Sequence, residues 1–217
     1  MDVDRIGSEK FNQDAACLLS TAHITESSTM PDRILSIDGY LTERKLSNAL
    51  HEITQDAWLG GQLKVPGTRM RWDMAFTLGS TTVVVEYDGD EHYRNALKIK
   101  TDRAKDQAAV SLGYKTVRFP YWIQLDTTTL EHFSGLEANV RTDFPHGFIT
   151  TRIFPSFCGF GIQRFAGELD ALPGTVRDSV IQSLQDRASK HGIEWVLPQQ
   201  LFHLLSADTG GVVSHSQ

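Results

Sequence analysis

Several absences bound this 217-residue chain before any motif is considered. It has only two cysteines, Cys17 and Cys158, far apart in sequence. Neither a disulfide framework nor a cysteine zinc site is suggested, so reduced cytosolic thiols are expected. No apolar run approaches the ~20 residues needed to span a bilayer. The acidic, polar N-terminus is unlike a secretory signal, so the expectation is a cytoplasmic protein with no membrane partner. Internal repeats and low-complexity segments are missing. Net basicity is missing too, since the formal charge is −6.

That deficit is unevenly distributed. Residues 1–60 carry a net −5 and residues 126–217 a net −4, whereas residues 61–125 have ten Lys and Arg against seven Asp and Glu. The one net-positive stretch also holds the most informative pattern. Arg71-Trp-Asp-Met-Ala-Phe alternates, with Trp72, Met74 and Phe76 expected on one face and Asp73 and Ala75 on the other. Leu78-Gly-Ser-Thr81 reads as a turn, so an antiparallel hairpin is expected. Val83, Val84 and Val85 then suit a strand buried on both faces.

This second strand ends in Glu86, Asp88, Asp90, Glu91 and His92. Four acids and an imidazole at the exit of a core strand repel one another unless something positive sits among them. A hard divalent cation with oxygen ligands is the economical answer. An ordinary acidic turn would leave Asp73 unexplained, because an aspartate between Trp, Met and Phe in a strand is costly unless paired or metal-bound.

Residues 101–112 have helical spacing, with Thr101 as N-cap and Gly113 at the C-terminus. Ala104, Ala108, Ala109, Val110 and Leu112 form its expected apolar stripe, with Lys105 on the polar side. Tyr114-Lys-Thr-Val-Arg-Phe119 alternates again and ends at Pro120. A helix crossing between two strands favours a parallel pair, hence a mixed sheet with a helix on its face. Upstream, residues 41–53 have helical spacing, with Leu46, Ala49, Leu50 and Ile53 as the buried stripe.

The order Asp73, then Glu86-Tyr-Asp88-Gly-Asp-Glu-His92, then Asp102-Arg-Ala-Lys105-Asp106, then Gly113-Tyr-Lys-Thr-Val-Arg118-Phe119 resembles the very-short-patch-repair-like endonucleases of the PD-(D/E)xK nuclease superfamily. The match covers about residues 66–122. It implies a restriction-endonuclease-like α/β core with a mixed central β-sheet flanked by helices, and a metal-dependent phosphodiesterase with Asp73 as principal ligand. The superfamily's usual lysine would sit at 88, where this chain has Asp88. By the same resemblance His92 becomes the candidate general base or charge stabiliser; the alternative is that Lys98, Lys100 or Lys105 supplies the missing positive charge instead. A glutamate on the first helix reaches the active site in many relatives; Glu43 is preferred here over Glu52.

Phosphodiester hydrolysis requires an activated water and neutralisation of growing charge. Asp73 and Glu86, on neighbouring strands, suit one Mg²⁺ or Mn²⁺, and Asp88 helps bind a second ion or positions the water. The imidazole of His92, with an unperturbed pKa of ~6.5, suits proton transfer. Arg69, Arg71, Lys98, Lys100, Lys105 and Arg118 are candidate phosphate contacts.

The expected organisation is an N-terminal helical extension (1–35), a nuclease core (36–139), a C-terminal α+β accessory region (140–207) and a disordered tail (208–217). The aromatic, glycine-rich residues 148–162 suit two short strands with a turn, or a loop packed on the core. A helix is expected over 175–190, a strand over 194–197 and a short helix to Leu205. The function expected is a DNA endonuclease, with a catalytically inactive nuclease-fold interaction protein or an RNA-directed nuclease as alternatives. A homodimer or a protein partner is left open.

Overall fold

The computed structural model describes residues 34–147, 149 and 154–206. Apart from residues 34 and 35, the expected N-terminal extension lies outside the described residues, as does the tail at 208–217. The first elements are β1 (Ile34–Ile37), α1 (Glu43–Thr54), β2 (Trp58–Lys64), β3 (Arg71–Leu78) and β4 (Thr81–Asp88). A short α2 (Glu91–Arg94), the long α3 (Ala96–Ser111), β5 (Lys115–Pro120), α4 (Thr127–Ser134) and β6 (Asn139–Thr142) follow. The described C-terminal residues are helical: α5 (Gly159–Asp170), α6 (Gly174–His191) and α7 (His203–Ser206), with short 3₁₀ turns.

The fold is α/β, with a mixed four-stranded sheet in the order β2-β3-β4-β5 flanked by helices. The β2/β3 and β3/β4 pairs are antiparallel, and the α3 crossover makes β4/β5 parallel, as the strand–helix–strand spacing requires. A separate parallel pair joins β1 to β6.

One sheet face presents Met74, Phe76, Val83, Val85, Val117 and Phe119 to Leu46, Ala49 and Leu50 of α1 and Leu130 of α4. The other face meets α3. Trp72 is buried there with Val65, Ala75, Val84 and Ala109, not with Met74 and Phe76 as alternation suggested. The β3/β4 pairing ends at Met74–Val85, and beyond it Trp72 pairs only with Leu63 of β2.

Helix α3 begins earlier than expected. Asn95, not Thr101, is the N-cap, its side chain accepting from the Leu97 and Lys98 amides at 3.0 and 3.4 Å. The buried face of this longer helix is Ile99, Asp102, Lys105 and Ala109. Lys105 therefore points inward, and Val110 points outward at 74% exposure. A purely apolar stripe fails here because the buried charges are compensated across the sheet.

Of the aromatic run, residues 148 and 150–153 lie outside the described residues, and the rest packs on the core without strands. Phe154–Ser156 is a 3₁₀ turn and α5 begins at Gly159. Phe154, Phe157 and Phe165 form one cluster with Tyr93, Tyr121 and Trp122, which draws the segment into helix packing. The strand expected at 194–197 is instead a 3₁₀ turn, Ile193–Trp195, that follows α6 directly. Helix α5 approaches the chain so closely that a Cβ on Gly161 would lie 1.8 Å from the Tyr93 carbonyl oxygen.

Candidate active site

The antiparallel pairing of β3 and β4 ends at Met74–Val85, one residue short of Asp73 and Glu86, and the charge of Asp73 still acts on the Glu86 carboxyl. Asp73 is half-buried, and its Oδ2 accepts a hydrogen bond from the Tyr87 amide at 2.9 Å. Glu86 is only 1% exposed. Lys105 reaches it from α3, with Nζ 2.8 Å from both carboxylate oxygens. Glu43 lies exposed in the first turn of α1, where Thr42 caps the helix. Gln62 Nε2 donates to Glu43 Oε1 at 3.5 Å.

Electrostatics tie these groups together. Burial, reinforced by the charge of Asp73, pushes the Glu86 carboxyl up to about 7 against the pull of Lys105. Burial and Asp73 also raise Glu43, opposed by Lys105 and Lys98. The charge of Asp73 thus opposes ionisation of both Glu43 and Glu86, while Lys105 favours it in both and Lys98 in Glu43. A concentration of oxygen donors that resist being charged together is a setting that a hard cation relieves. Asp73 Oδ1 is left without a hydrogen bond among the described residues.

Behind this group lies a denser layer. Asp88 is fully buried and takes Arg118 Nη1 on both oxygens, at 2.9 and 3.1 Å. It also contacts Arg164 Nη2, and His92 Nδ1 lies 2.9 Å from its Oδ1. The same imidazole nitrogen is 2.7 Å from Asp102 Oδ2, which Arg164 Nη1 meets at 3.0 Å. Arg118 Nη2 continues to Asp106 at 2.9 Å. Burial would raise the Asp88 carboxyl, but His92, Arg118 and Arg164 hold it well below the usual carboxylate range. Burial lowers His92, yet its hydrogen bonds to Asp102 and Asp88 win and its pKa is raised. Arg164 is further fixed by Glu168 at 2.7 Å and lies 4.9 Å over the Tyr93 ring.

Asp88, His92 and Asp102 offer ligand atoms within 4.8 Å of one another, so this trio can hold a metal ion. The layer already contains two guanidiniums against those carboxylates, whereas Glu86 has a single direct lysine contact and Asp73 accepts from one backbone amide. Coulombic repulsion from Arg118 and Arg164 makes the inner trio the poorer seat for a divalent ion.

Of the expected residues, Asp73 acts by its charge on both Glu43 and Glu86, but these three carboxylates do not gather within the 4.8 Å that Asp88, His92 and Asp102 do. Asp88 and His92 occupy the inner layer. Arg69, Arg71 and Lys100 are exposed and Lys98 is half-buried, whereas Lys105 is buried and Arg118 mostly so, each committed to carboxylates of the chain itself. Sequence reasoning passed over Asp102, Arg164 and Glu168 as site residues. The spacing of Ile99, Asp102 and Lys105 along one helix face was an available signal for the first; Arg164 had none, because its helix was hidden in the aromatic run.

No protein-family model, no curated protein and no solved structure matches the chain at a significant level. Among the described residues, no helix is long and apolar enough to cross a membrane.

Proposed function

We propose that the chain is a metal-dependent endonuclease that hydrolyses DNA phosphodiester bonds, built on a PD-(D/E)xK-type core resembling the very-short-patch-repair-like endonucleases. What supports this reading is the contact of Lys105 with Glu86. Asp73 and Glu86 lie on adjacent strands, the charge of Asp73 acts on the Glu86 carboxyl, and α3 returns the positive charge that position 88 lacks. Asp73 and Glu86 would hold Mg²⁺ or Mn²⁺, since both offer the oxygen donors that such ions prefer. When bound, the ion supplies charge neutralisation and a more acidic water.

The protein's own groups do the rest. The Tyr87 amide fixes one oxygen of Asp73 and so aims the other. The Lys105 ammonium orients Glu86 and stands ready to stabilise negative charge growing on a neighbouring phosphate oxygen. Asp88 and Asp102 hold His92 through Nδ1, leaving Nε2 without a hydrogen bond among the described residues. In this reading His92 is the group that moves a proton or stabilises charge, and Asp88 positions it.

A second reading, a nuclease-fold protein that binds without cutting, is favoured by Lys105 occupying both Glu86 oxygens and by the net charge of −6. Supercoiled plasmid incubated with Mg²⁺, Mn²⁺ or EDTA separates the two. Metal-dependent nicking lost in Asp73→Ala supports the enzyme. No nicking, together with identical Mn²⁺ titration heats for both proteins, supports the binder. An RNA substrate in the same assay tests the remaining alternative.

A further inference from the structure

Between Asp56 and Asp73 the chain carries Lys64, Arg69 and Arg71 and no acid, within a protein that is otherwise acidic. This stretch is the β2–β3 hairpin. Its register places Lys64 directly opposite Arg71. Like charges in cross-strand pairs oppose folding, so such a pair is unfavourable unless something anionic spans it. All three cations are exposed and none makes an ion pair among the described residues; among those residues the one hydrogen bond of their side chains is from Arg71 Nη1 to the Gln62 carbonyl at 2.8 Å.

The hairpin is not a loose loop. Val65 and Trp72 are wholly buried at its root against Ala109 of α3. Val65 also closes the turn by hydrogen bonding to the Met70 carbonyl at 2.9 Å. Gln62, opposite Asp73, adopts a left-handed φ of 55°, which few non-glycine residues tolerate. That strained residue supplies the carbonyl that holds Arg71 and the amide that reaches Glu43. Arg71 itself lies two strand residues from Asp73, a separation of roughly 6.6 Å.

We propose that Lys64, Arg71 and Arg69 form a rigid phosphate-contacting ridge that docks the backbone of duplex DNA beside the site of cleavage. The proposal rests on the nuclease reading and adds its docking surface. A duplex is the occupant because no exposed aromatic ring lies between residues 60 and 73, and single strands are gripped largely by stacking. The exposed cations meet phosphates and carry no base-reading geometry.

The test uses the full chain and a fluorescein-labelled DNA duplex in EDTA, with affinity measured across a salt series. Lys64→Gln/Arg71→Gln should flatten the slope of log K against log salt by about 1.8, given ~0.9 per phosphate released. Lys190→Gln, at the end of α6, should leave it unchanged. With metal and plasmid, the double variant should raise KM while largely sparing kcat. An unaltered slope in a protein that still cleaves would overturn the ridge and leave the nuclease reading standing. A wild-type protein that neither binds nor cuts removes both. A slope change seen only with an RNA duplex overturns the assignment to DNA.

Discussion

Lys105 and Glu86 are nineteen residues apart, yet Lys105 Nζ stands 2.8 Å from each oxygen of the Glu86 carboxylate. Both side chains are buried, so the pair has given up hydration and depends on its own geometry. Removing one partner leaves an uncompensated charge. Lys105→Met is expected to destabilise the protein by about 3–5 kcal/mol at neutral pH. Adding Glu86→Gln should recover most of that loss. Urea denaturation of the two single variants and the double variant checks the cycle; a double variant as unstable as Lys105→Met would show that packing, not charge, dominates.

Asp73 should behave in the opposite way. It is half-buried, and its charge adds to the strain on Glu86. Asp73→Asn keeps an oxygen for the Tyr87 amide and removes the repulsion. Metal-dependent plasmid cleavage is expected to vanish while stability stays level or rises by up to about 1 kcal/mol. Nicking assays and thermal melts on one preparation read both effects. A variant that loses activity together with fold would point to a structural role.

Stability should also depend on pH in a direction set by these groups. Glu86 rises from an ordinary 4.5 to about 7 in the folded state, so the fold holds the extra proton within that window. Stability is therefore expected to fall by roughly 2–3 kcal/mol as pH increases from 4.5 to 7 in EDTA. His92, also raised, extends the decline above 6.5. Asp88 and Asp102 are lowered, so their contribution is present above 3.8 and is lost as pH falls. The metal-free protein should accordingly be most stable under mildly acidic conditions. Urea midpoints across this range, with Glu86→Gln expected to flatten the neutral limb, test the assignment.

Two glycines of α5 should respond in opposite directions. A Cβ at Gly161 meets the Tyr93 carbonyl, whereas one at Gly167 meets nothing within 4 Å. Gly161→Ala is expected to cost about 3 kcal/mol by overpacking. Gly167→Ala should add up to about 1 kcal/mol through helix propensity. Denaturation midpoints of the two variants make the comparison.

Much of the sheet was legible in the chain. The alternation around Asp73, the turn at 78–81, the three valines and the helical spacing before Tyr114 were enough for an antiparallel hairpin with a parallel third strand, because these are local patterns with local causes. The inward turn of Lys105 was not legible, since a charged residue normally marks a solvent face and its partner lies on another element. Arg164 was further out of reach. Its contacts with Asp88 and Asp102 span 76 and 62 residues, and its helix lies in a segment whose aromatics fit strand, loop or helix equally well. Long-range charge pairing leaves no period in sequence to detect.

Arg164 also ties the order of synthesis to competence. During translation Asp88, His92 and Asp102 emerge well before α5, so the inner layer must wait for a guanidinium from a later part of the chain. Until then two carboxylates destined for the interior lack one of their cations and favour hydration. A nascent chain stopped before α5 would hold Asp88 and Asp102 with Arg118 as their one guanidinium among the described residues.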